Sequence, residues 1–472
     1  MKRYLLSAMA IAAMTAVAQE HREMQYVAST AQATIESISK KGIVTIDVTN
    51  PNGCEYKDAP VCVKLPADFR YKAATVSADG TEIPSQLDDL NSDGTYDELS
   101  LVIDLDAHAT RTLTITFGKK PLPADRYENR VFTDMRLRVV KKGRTIDLRK
   151  ENYQIDTLSE VEDTHYSDVY PHGLCFENEI MGYRVYFNAS HGTDLYGHRV
   201  KQLELDRSMW YTPEIRDSAA LYNYGEDIIV VGTTATVGTL RGWDDSKWDP
   251  AYLNTVPDRR SLDPCMSTIT PFAWRQAHIV AKGPVRTVVD MNVEGWQYKG
   301  HSLNLKARYI LYAGNREHQI VNQLCEVAAD GTETHAGLQD MEFATGVMKV
   351  GCLNTDSVDV AMVKYISDGK GFCASYGKDW PDPNHKLFPY MSKAALALSI
   401  PQANVTRTLD RREQILYGLH PNADGSLIYR AACAAPDLET FAPYEDGRWN
   451  YQRWFEWANQ WKEQQPAVVT IK

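Results

Sequence analysis

"HSLNLKARYILYAGNREHQIVNQL", residues 301–324, is the stretch that most clearly decides the fold class. Apolar and polar side chains alternate on both sides of a Gly-Asn turn, which is typical of two antiparallel strands. In the first strand Leu305 lies on one face and Lys306 and Arg308 on the other, and His318 lies on a polar face of the second strand. A sheet face with Lys, Arg and His suits an anionic or polyhydroxyl ligand. Arg308 and His318 are therefore candidate substrate-binding residues, and a solvated outer face is the alternative.

The same pattern continues along most of the chain. Alternating or β-branched segments such as GIVTIDVTN, APVCVKL, ELSLVIDL and VRTVVDMNV are separated by turns such as NPNG, NSDG and PNADG. Helical periodicity is sustained only near the C-terminus, where Tyr451, Trp454, Ala458 and Trp461 lie on one stripe and Pro466 follows. The sequence therefore predicts an all-β protein with one C-terminal helix.

The chain divides into three segments of different character. Lys2 and Arg3, followed by a short apolar run that ends in Ala-Val-Ala, predict a signal peptide over residues 1–18 and export to the periplasm or beyond. The basic, proline-containing connector GKKPLPADRYENR predicts a boundary near residue 120. We expect a small β-sandwich over residues 24–120. Residues 130–472 are expected to form a large antiparallel β-sandwich of the supersandwich or galactose-mutarotase-like kind, which carries the catalytic site.

The charge and the motifs of the chain argue against several classes of partner and against one class of enzyme. The net charge of −11 argues against nucleic acids and anionic membranes, because both require a basic footprint. No long charge-free apolar run follows the signal peptide, so no membrane insertion is expected. A G-x-S-x-G motif is absent, which disfavours a serine esterase.

The acidic loop SQLDDLNSDGTYDEL, residues 85–99, has the spacing of a calcium-binding loop. Oxygen-bearing side chains alternate along it around a glycine that permits a sharp turn. The flanking segments are strands, so we expect a short cation loop in a hairpin, with Ca²⁺ in a structural role. The alternative is a solvated turn whose side chains accept hydrogen bonds from the local backbone. The candidate ligands are Asp89, Asn91, Asp93, Asp97 and Glu98.

The segment HYSDVYPHGLCFENEIMGYRVYFNASHGTDLYGHR, residues 165–199, is dense in groups that transfer protons or bind anions. A turn presents His172 as a candidate general base, and Tyr183 and Tyr196 are candidate proton donors or bases. Arg184 is the candidate that neutralises a substrate carboxylate. For each of them a structural role in the core or in a loop is the alternative.

Aromatic residues in two long loops are a further candidate feature. The loop RGWDDSKWDPAYLNTVPDRR contains Trp243, flanked by Asp and Arg residues as in many sugar-stacking sites. The alternative is that such side chains pin a long loop to its domain.

Several blocks of the sequence resemble, in the same order, those of a secreted family known as domain-of-unknown-function family 4861. The most specific block is YPHGLCFENEIMGYRVYF with the following DLYGHR. Members of that family tend to occur among polysaccharide-degradation genes, and some are similar to ulvan-lyase-type polysaccharide lyases, which cleave at uronic acids. The family-like residues are His172, Glu177, Glu179, Tyr183, Arg184, Asp194 and Tyr196.

The resemblance also suggests substrate contacts and two departures from the family pattern. Glu177, Glu179 and His198 become candidate substrate-binding residues. His198 stands where Lys is common in the family, and Leu174 and Cys175 stand where a more aromatic pair is common, which is compatible with a different substrate.

Three functions remain open at this point. The resemblance implies a lyase that performs β-elimination at uronic acid residues of an anionic polysaccharide or oligosaccharide. A glycoside hydrolase of the same glycan class would need a carboxylate pair across one bond. The third hypothesis is a non-catalytic periplasmic carbohydrate-binding protein.

Overall fold

A computed structural model of the chain describes residues 30–138, 152–211, 222–232, 234–244, 265–352, 362–381 and 390–472. Strands predominate throughout these residues, and their bounds follow in chain order. The first fifteen strands are β1 (Ala31–Thr34), β2 (Ile43–Thr49), β3 (Tyr56–Lys64), β4 (Ala73–Ala78), β5 (Thr81–Ile83), β6 (Ser85–Asp88), β7 (Glu98–Leu105), β8 (Thr110–Gly118), β9 (Val131–Arg138), β10 (Asn152–Gln154), β11 (Thr157–Glu160), β12 (Val169–Asn178), β13 (Met181–Tyr186), β14 (Thr193–Gly197) and β15 (Glu226–Asp227). The following strands are β16 (Arg241–Trp243), β17 (Met266–Ser267), β18 (Trp274–Lys282), β19 (Arg286–Tyr298), β20 (His301–Tyr312), β21 (Glu317–Val327), β22 (Glu333–Thr334), β23 (Phe343–Met348), β24 (Lys364–Ser367), β25 (Phe372–Asp379), β26 (Ser392–Ser399), β27 (Val405–Asp410), β28 (Gln414–Leu419), β29 (Ser426–Ala434) and β30 (Val468–Ile471).

Helical structure is scarce in the described residues. Only the C-terminal helix, Tyr451–Glu463, is longer than two turns, and the other α-helical segment is the single turn Leu205–Ser208. Short 3-10 helices span His165–Ser167, Leu338–Asp340 and Gln402–Asn404. The predicted all-β sandwich architecture with one C-terminal helix is therefore confirmed. No described helix is long and apolar enough to cross a membrane.

Two sheets form a small sandwich at the N-terminal end of the chain. One has the strand order β1-β3-β7-β6 and the other the order β30-β2-β8-β4-β5. Alternate residues of these strands, such as Val61, Leu101, Ile46 and Ile115, are buried in a separate hydrophobic core between the sheets. The chain thus buries one apolar face of each sheet against the other.

The last strand of the chain completes the small sandwich. β30 pairs antiparallel with β2, with Ile471 opposite Ile46. The sequence prediction assigned residues 130–472 to the large unit, and it did not foresee this return of the chain. The division near residue 120 stays a prediction, but β30 lies in a sheet of the small sandwich.

Three further sheets enclose the main core. Their orders are β10-β9-β12-β13-β14-β15 in a six-stranded sheet, β11-β18-β19-β20-β21-β29-β26-β25-β24 in a ten-stranded sheet with β22 paired to β21, and β17-β16-β23-β28-β27 in a five-stranded sheet. Residues from all three, including Phe176, Leu305 and Tyr417, form one contiguous buried cluster. The ten-stranded sheet contains the β20–β21 hairpin from which the fold class was predicted.

The C-terminal helix packs on the ten-stranded sheet through the predicted stripe. Asn450 caps its N-terminus by accepting a hydrogen bond from the Arg453 backbone N–H at 2.9 Å. Trp454, Ala458 and Trp461 are buried against small residues of β25, β26 and β29. These three positions recur at helical spacing, which is why the pattern was visible in the sequence.

A buried arginine joins the small sandwich to the ten-stranded sheet. The Arg286 guanidinium donates to Asp88 Oδ2 and to Glu98 Oε2, both at 2.7 Å. Gln86 Oε1 accepts from the backbone N–H groups of Val285 and Arg286 at 2.7 and 2.9 Å. Part of the negative charge around the acidic loop is therefore neutralised by a cation from the other unit.

Candidate functional site

Backbone alternation gives the six-stranded sheet two chemically different faces. On β13, Tyr183 and Val185 belong to the main core, so Arg184 and Tyr186 lie on the opposite side. The register of β13 with β14 places Asp194 beside Arg184. We call the side opposite the main core the polar face; its strand residues include Arg138, Cys175, Glu177, Arg184, Tyr186, Asp194 and Tyr196.

Arg184 lies at the centre of the polar face and is only 2% exposed. Its guanidinium donates to Asp194, to the Tyr186 hydroxyl at 2.7 Å and to the Tyr211 hydroxyl at 3.1 Å. The guanidinium carbon also lies 4.2 Å from the centre of the Trp210 ring. Because so many partners fix this cation, Arg184 positions the surrounding hydroxyl and carboxyl groups.

His172 and Tyr166 form a stacked pair at the edge of this cluster. Their ring centres lie 4.7 Å apart and both side chains are partly buried. Burial, together with the guanidinium groups of Arg184 and Arg138, lowers the pKa of His172 to about 4, so the imidazole is neutral at neutral pH. His172 Nδ1 lies 3.2 Å from the Tyr166 carbonyl oxygen, which requires Nδ1 to carry the proton and leaves Nε2 as the basic nitrogen.

Tyr166 complements His172 chemically. Burial raises the pKa of the Tyr166 hydroxyl, which therefore keeps its proton at neutral pH. The pair thus combines a neutral base with a protonated acid in adjacent rings.

Arg138 brings a second cation to the same edge. It ends β9 on the polar face and acts on the pKa of His172. Its neighbour Arg136 pairs with Asp134 and Asp206, whereas no carboxylate within the described chain pairs with Arg138, and the Nε–H of Arg138 has no hydrogen-bond partner. A guanidinium that has no carboxylate partner among the described residues, beside a neutral imidazole, is a suitable place for a carboxylate ligand.

A second polar cluster on this face is fully buried. His198 Nε2 lies 3.1 Å from Glu177 Oε2 and 4.0 Å from Glu204 Oε1. Glu177 Oε1 accepts from the backbone N–H groups of Glu204 and Leu205, and the Tyr196 hydroxyl donates to Glu204 Oε2 at 2.9 Å. These contacts hold the short helix at Leu205 against the sheet.

The charges of this cluster are strongly coupled. Burial alone would lower the pKa of His198, but the carboxylates of Glu204 and Glu177 raise it to about 9. Burial raises the pKa of Glu204 to about 7, against the effect of His198. His198 is therefore the internal cation of a buried ion cluster.

Two predicted site residues lie in the main core, away from the polar face. Tyr183 is fully buried and its hydroxyl donates to the Arg316 carbonyl oxygen at 2.9 Å. Its ring packs 4.4 Å from the ring of His318, which is also fully buried. The structure therefore separates Tyr183 and His318 from His172.

Three other predicted residues are engaged elsewhere. Arg308 is buried on the side of the ten-stranded sheet opposite the main core, where it pairs with Asp290 and donates to the Leu90 carbonyl oxygen at 3.2 Å. His318 lies opposite Leu311 and so faces the main core. Glu179 pairs with Arg130 next to the small sandwich. Trp243 is fully buried, so its ring is not an exposed platform for a sugar.

In the acidic loop the side chains accept hydrogen bonds from the loop's own backbone. Asp89 Oδ2 accepts from Gly94 N–H at 2.8 Å, and Asn91 Oδ1 accepts from Asp93 N–H at 2.9 Å. Asp97 Oδ2 accepts from Leu90 N–H at 2.6 Å, whereas Glu98 is paired with Arg286. In the part of the chain that the structure describes, no group of three or more His, Cys, Asp or Glu side chains is arranged to hold a metal ion.

A comparison with known protein families shows which family the chain belongs to. Residues 48–469 match the family described as "Domain of unknown function (DUF4861)". The chain belongs to this family. None of the curated proteins compared with the chain matches it.

Two solved structures resemble this chain at low sequence identity. One is an alpha-mannosidase from Enterococcus faecalis V583, at 7% identity and a TM-score of 0.41, over 93% of this chain and 47% of that one. The other is a protein in the Glycosyl Hydrolase Family 38 from Enterococcus faecalis, at 6% identity and a TM-score of 0.38, over 93% of this chain and 49% of that one. The chain thus spans about half the length of each.

Sequence reasoning missed several members of the site. Tyr186 was visible in the alternation of YRVYF, which places it on the face of Arg184. Tyr166 lies in the same segment as His172 but was not singled out. Arg138 and Tyr211 come from two other segments, and only the fold of the chain brings them to His172 and Arg184.

Proposed function

We propose that this member of the DUF4861 family is a secreted polysaccharide lyase that performs β-elimination at uronic acid residues of an anionic glycan. One observation carries the proposal. The polar face brings together the neutral imidazole of His172, the protonated phenol of Tyr166 and the guanidinium of Arg138, which pairs with no carboxylate of the described residues. The resemblance to ulvan-lyase-type enzymes supports the choice of uronate as substrate class.

The three groups divide the chemistry of the reaction. His172 Nε2 removes the proton at C5 of the uronate, and the electrons of the C5–H bond form the C4=C5 double bond. The C4–O4 bond breaks, and the Tyr166 hydroxyl protonates the departing oxygen. The proton held by His172 then returns to Tyr166, through water, so that both groups regain their starting states.

Arg138 stabilises the charge that develops during this reaction. Loss of the C5 proton places negative charge on the adjacent carboxylate, and a guanidinium paired with that carboxylate stabilises it. Arg184 is already paired with Asp194, so it positions Tyr186 and Tyr211 rather than binding substrate.

The carboxylates support hydrolysis less well. Glu177 and Glu204 are close to each other but fully buried beside His198, and Glu179 is paired with Arg130. A hydrolase needs two carboxyl groups on opposite sides of one exposed glycosidic bond. A non-catalytic binding protein would not need the neutral state of His172.

The test is incubation of the purified protein with a panel of uronate polysaccharides. A lyase produces an unsaturated uronate, whose ultraviolet absorbance rises with time. His172→Ala and Tyr166→Phe should each lower the rate about 100-fold or more, since each removes a group that transfers a proton. His165→Ala is the matched control, because His165 lies in the same segment and pairs with Asp168 at the surface.

The other outcomes are equally informative. New reducing ends without a rise in ultraviolet absorbance would indicate a hydrolase instead of a lyase. Binding without either product would favour a carbohydrate-binding protein. Full activity of His172→Ala would remove His172 as the base.

Export and calcium binding also belong to this proposal. The signal peptide over residues 1–18 lies outside the described residues, and periplasmic or extracellular location follows from it as a prediction. Ca²⁺ binding by Asp89, Asn91, Asp93, Asp97 and Glu98 also stays a prediction. A melting temperature that falls on addition of a chelator would support Ca²⁺ binding. An unchanged melting temperature would mean that the Asp and Asn side chains only accept hydrogen bonds from the backbone of the loop.

A further inference from the structure

A buried arginine near the main core lacks an anionic partner. Arg241 begins β16 and is 0% exposed. Its Nη2 donates to the Thr234 carbonyl oxygen at 3.4 Å, whereas Nε and Nη1 have no hydrogen-bond partner. No carboxylate of the described residues forms an ion pair with it. The guanidinium therefore presents unused N–H donors inside the protein.

The groups that surround Arg241 are neutral. Tyr309 and Tyr429 lie close enough to act on its pKa, and burial keeps both hydroxyls protonated by raising their own pKa. The turn of His191 lies against the segment that leads into Arg241, because Thr193 N–H donates to Thr239 Oγ1 at 3.3 Å. His191 is also buried and neutral, because burial and the cations of Arg275 and Arg241 lower its pKa well below the ordinary value. Neither ring nitrogen of His191 has a hydrogen-bond partner. Within the described residues, the positive charge of Arg241 is thus not compensated by a carboxylate.

Other buried arginines of the chain show what is missing. Six of them have a carboxylate within ion-pair distance: Arg184 has Asp194, Arg275 has Glu160, Arg286 has Asp88 and Glu98, Arg308 has Asp290, Arg316 has Glu439, and Arg430 has Glu317. Burial lowers the pKa of Arg241 only to about 10, so it stays charged at neutral pH. A charge in such a place is costly unless an opposite charge accompanies it.

We propose that Arg241 and His191 form an internal binding site for a compact inorganic monoanion of the size of chloride. The Nε–H and Nη1–H of Arg241 and one N–H of His191 would donate to the anion. The complete burial of Arg241 excludes a sugar carboxylate, which would bring a ring and its substituents with it. The proposal does not depend on the lyase activity.

The position of the site gives the anion a structural role. His191 belongs to the turn that leads directly into β14, the strand that carries Asp194. In the same turn, Ala189 N–H donates to Asp163 Oδ2 at 3.1 Å, and Asp163 also pairs with Arg275. An anion between His191 and Arg241 would add a contact between this turn and β16.

The first test compares melting temperatures in sodium chloride and sodium gluconate at equal ionic strength, since gluconate is too large to enter. Chloride should raise the melting temperature by about 2 °C or more, in a saturable manner. Arg241→Gln should lose this response, and the exposed, ion-paired Arg126→Gln should retain it. An equal response in Arg241→Gln, or no chloride effect in the unaltered protein, would overturn the proposal.

A second measurement keeps the test decisive if Arg241→Gln does not fold. Crystals of the unaltered protein are soaked in bromide, whose anomalous scattering identifies it. A bromide peak in contact with the Arg241 guanidinium supports the site. Density there without an anomalous signal would mean water only and would refute it.

Discussion

His172 and His198 show how the surroundings of a single residue set its charge. His172 is partly buried beside Arg184 and Arg138, so it is neutral. His198 is fully buried between Glu177 and Glu204, so it is protonated. Both stand in one quoted segment of the sequence, yet only the first is suited to accept a proton from a substrate at neutral pH.

The state of His172 predicts the acid limb of the activity profile. Protonated His172 cannot act as a base, so kcat/KM should fall as the pH drops through about 4 and should be level from there to neutral pH. The measurement is kcat/KM against pH, with circular dichroism to exclude acid unfolding. An acid limb near the ordinary histidine pKa would contradict the proposed surroundings of His172.

His198 predicts a loss of stability at alkaline pH. Its pKa is raised from 6.5 to about 9 in the folded protein, so its stabilising effect is complete below 6.5 and is lost as the pH rises through about 9. The free energy of unfolding should fall by about 3 kcal/mol over this window. In denaturant titrations at several pH values, His198→Gln should lack this dependence. An unchanged dependence in the variant would assign it to another group.

At the scale of elements, local periodicity predicted the predominance of strands and the C-terminal helix. The stripe that predicted the C-terminal helix is the stripe that packs, apart from Tyr451, which is exposed at the first helical position. The alternation in residues 301–324 likewise predicted β20 and β21. Periodicity does not give the register between two strands. The sequence therefore predicted one ligand-binding surface with Arg308 and His318, although the two residues lie on opposite sides of the sheet.

The packing of the C-terminal helix predicts a large effect of one substitution. Trp454→Ala should lower the free energy of unfolding by about 3–5 kcal/mol, because it empties a fully buried site beneath the helix. Asn459→Ala on the exposed side of the same helix should change it by less than about 0.5 kcal/mol. Urea unfolding of both variants makes the comparison. Equal effects would mean that the packing of Trp454 contributes little to stability.

At the scale of the whole molecule, Arg286 couples the small sandwich to the ten-stranded sheet. Removing it leaves Asp88 and Glu98 buried without their cation. Arg286→Gln should therefore lower the free energy of unfolding by about 3–5 kcal/mol. Arg111→Gln, whose partner Asp79 is exposed, should cost less than about 1 kcal/mol. Calorimetry makes the comparison, and a small effect of Arg286→Gln would show that the apolar contact between the units suffices.

The sequence by itself determined the class of secondary structure, the helix and the family of this protein, because those depend on local periodicity and on short motifs. It also pointed to His172 and Arg184. Only the tertiary structure decided that Tyr183 is a core residue, that Arg138 joins His172, and that β30 closes the small sandwich. The physical reason is that the partners of a strand, and hence the charges beside each side chain, come from distant parts of the chain.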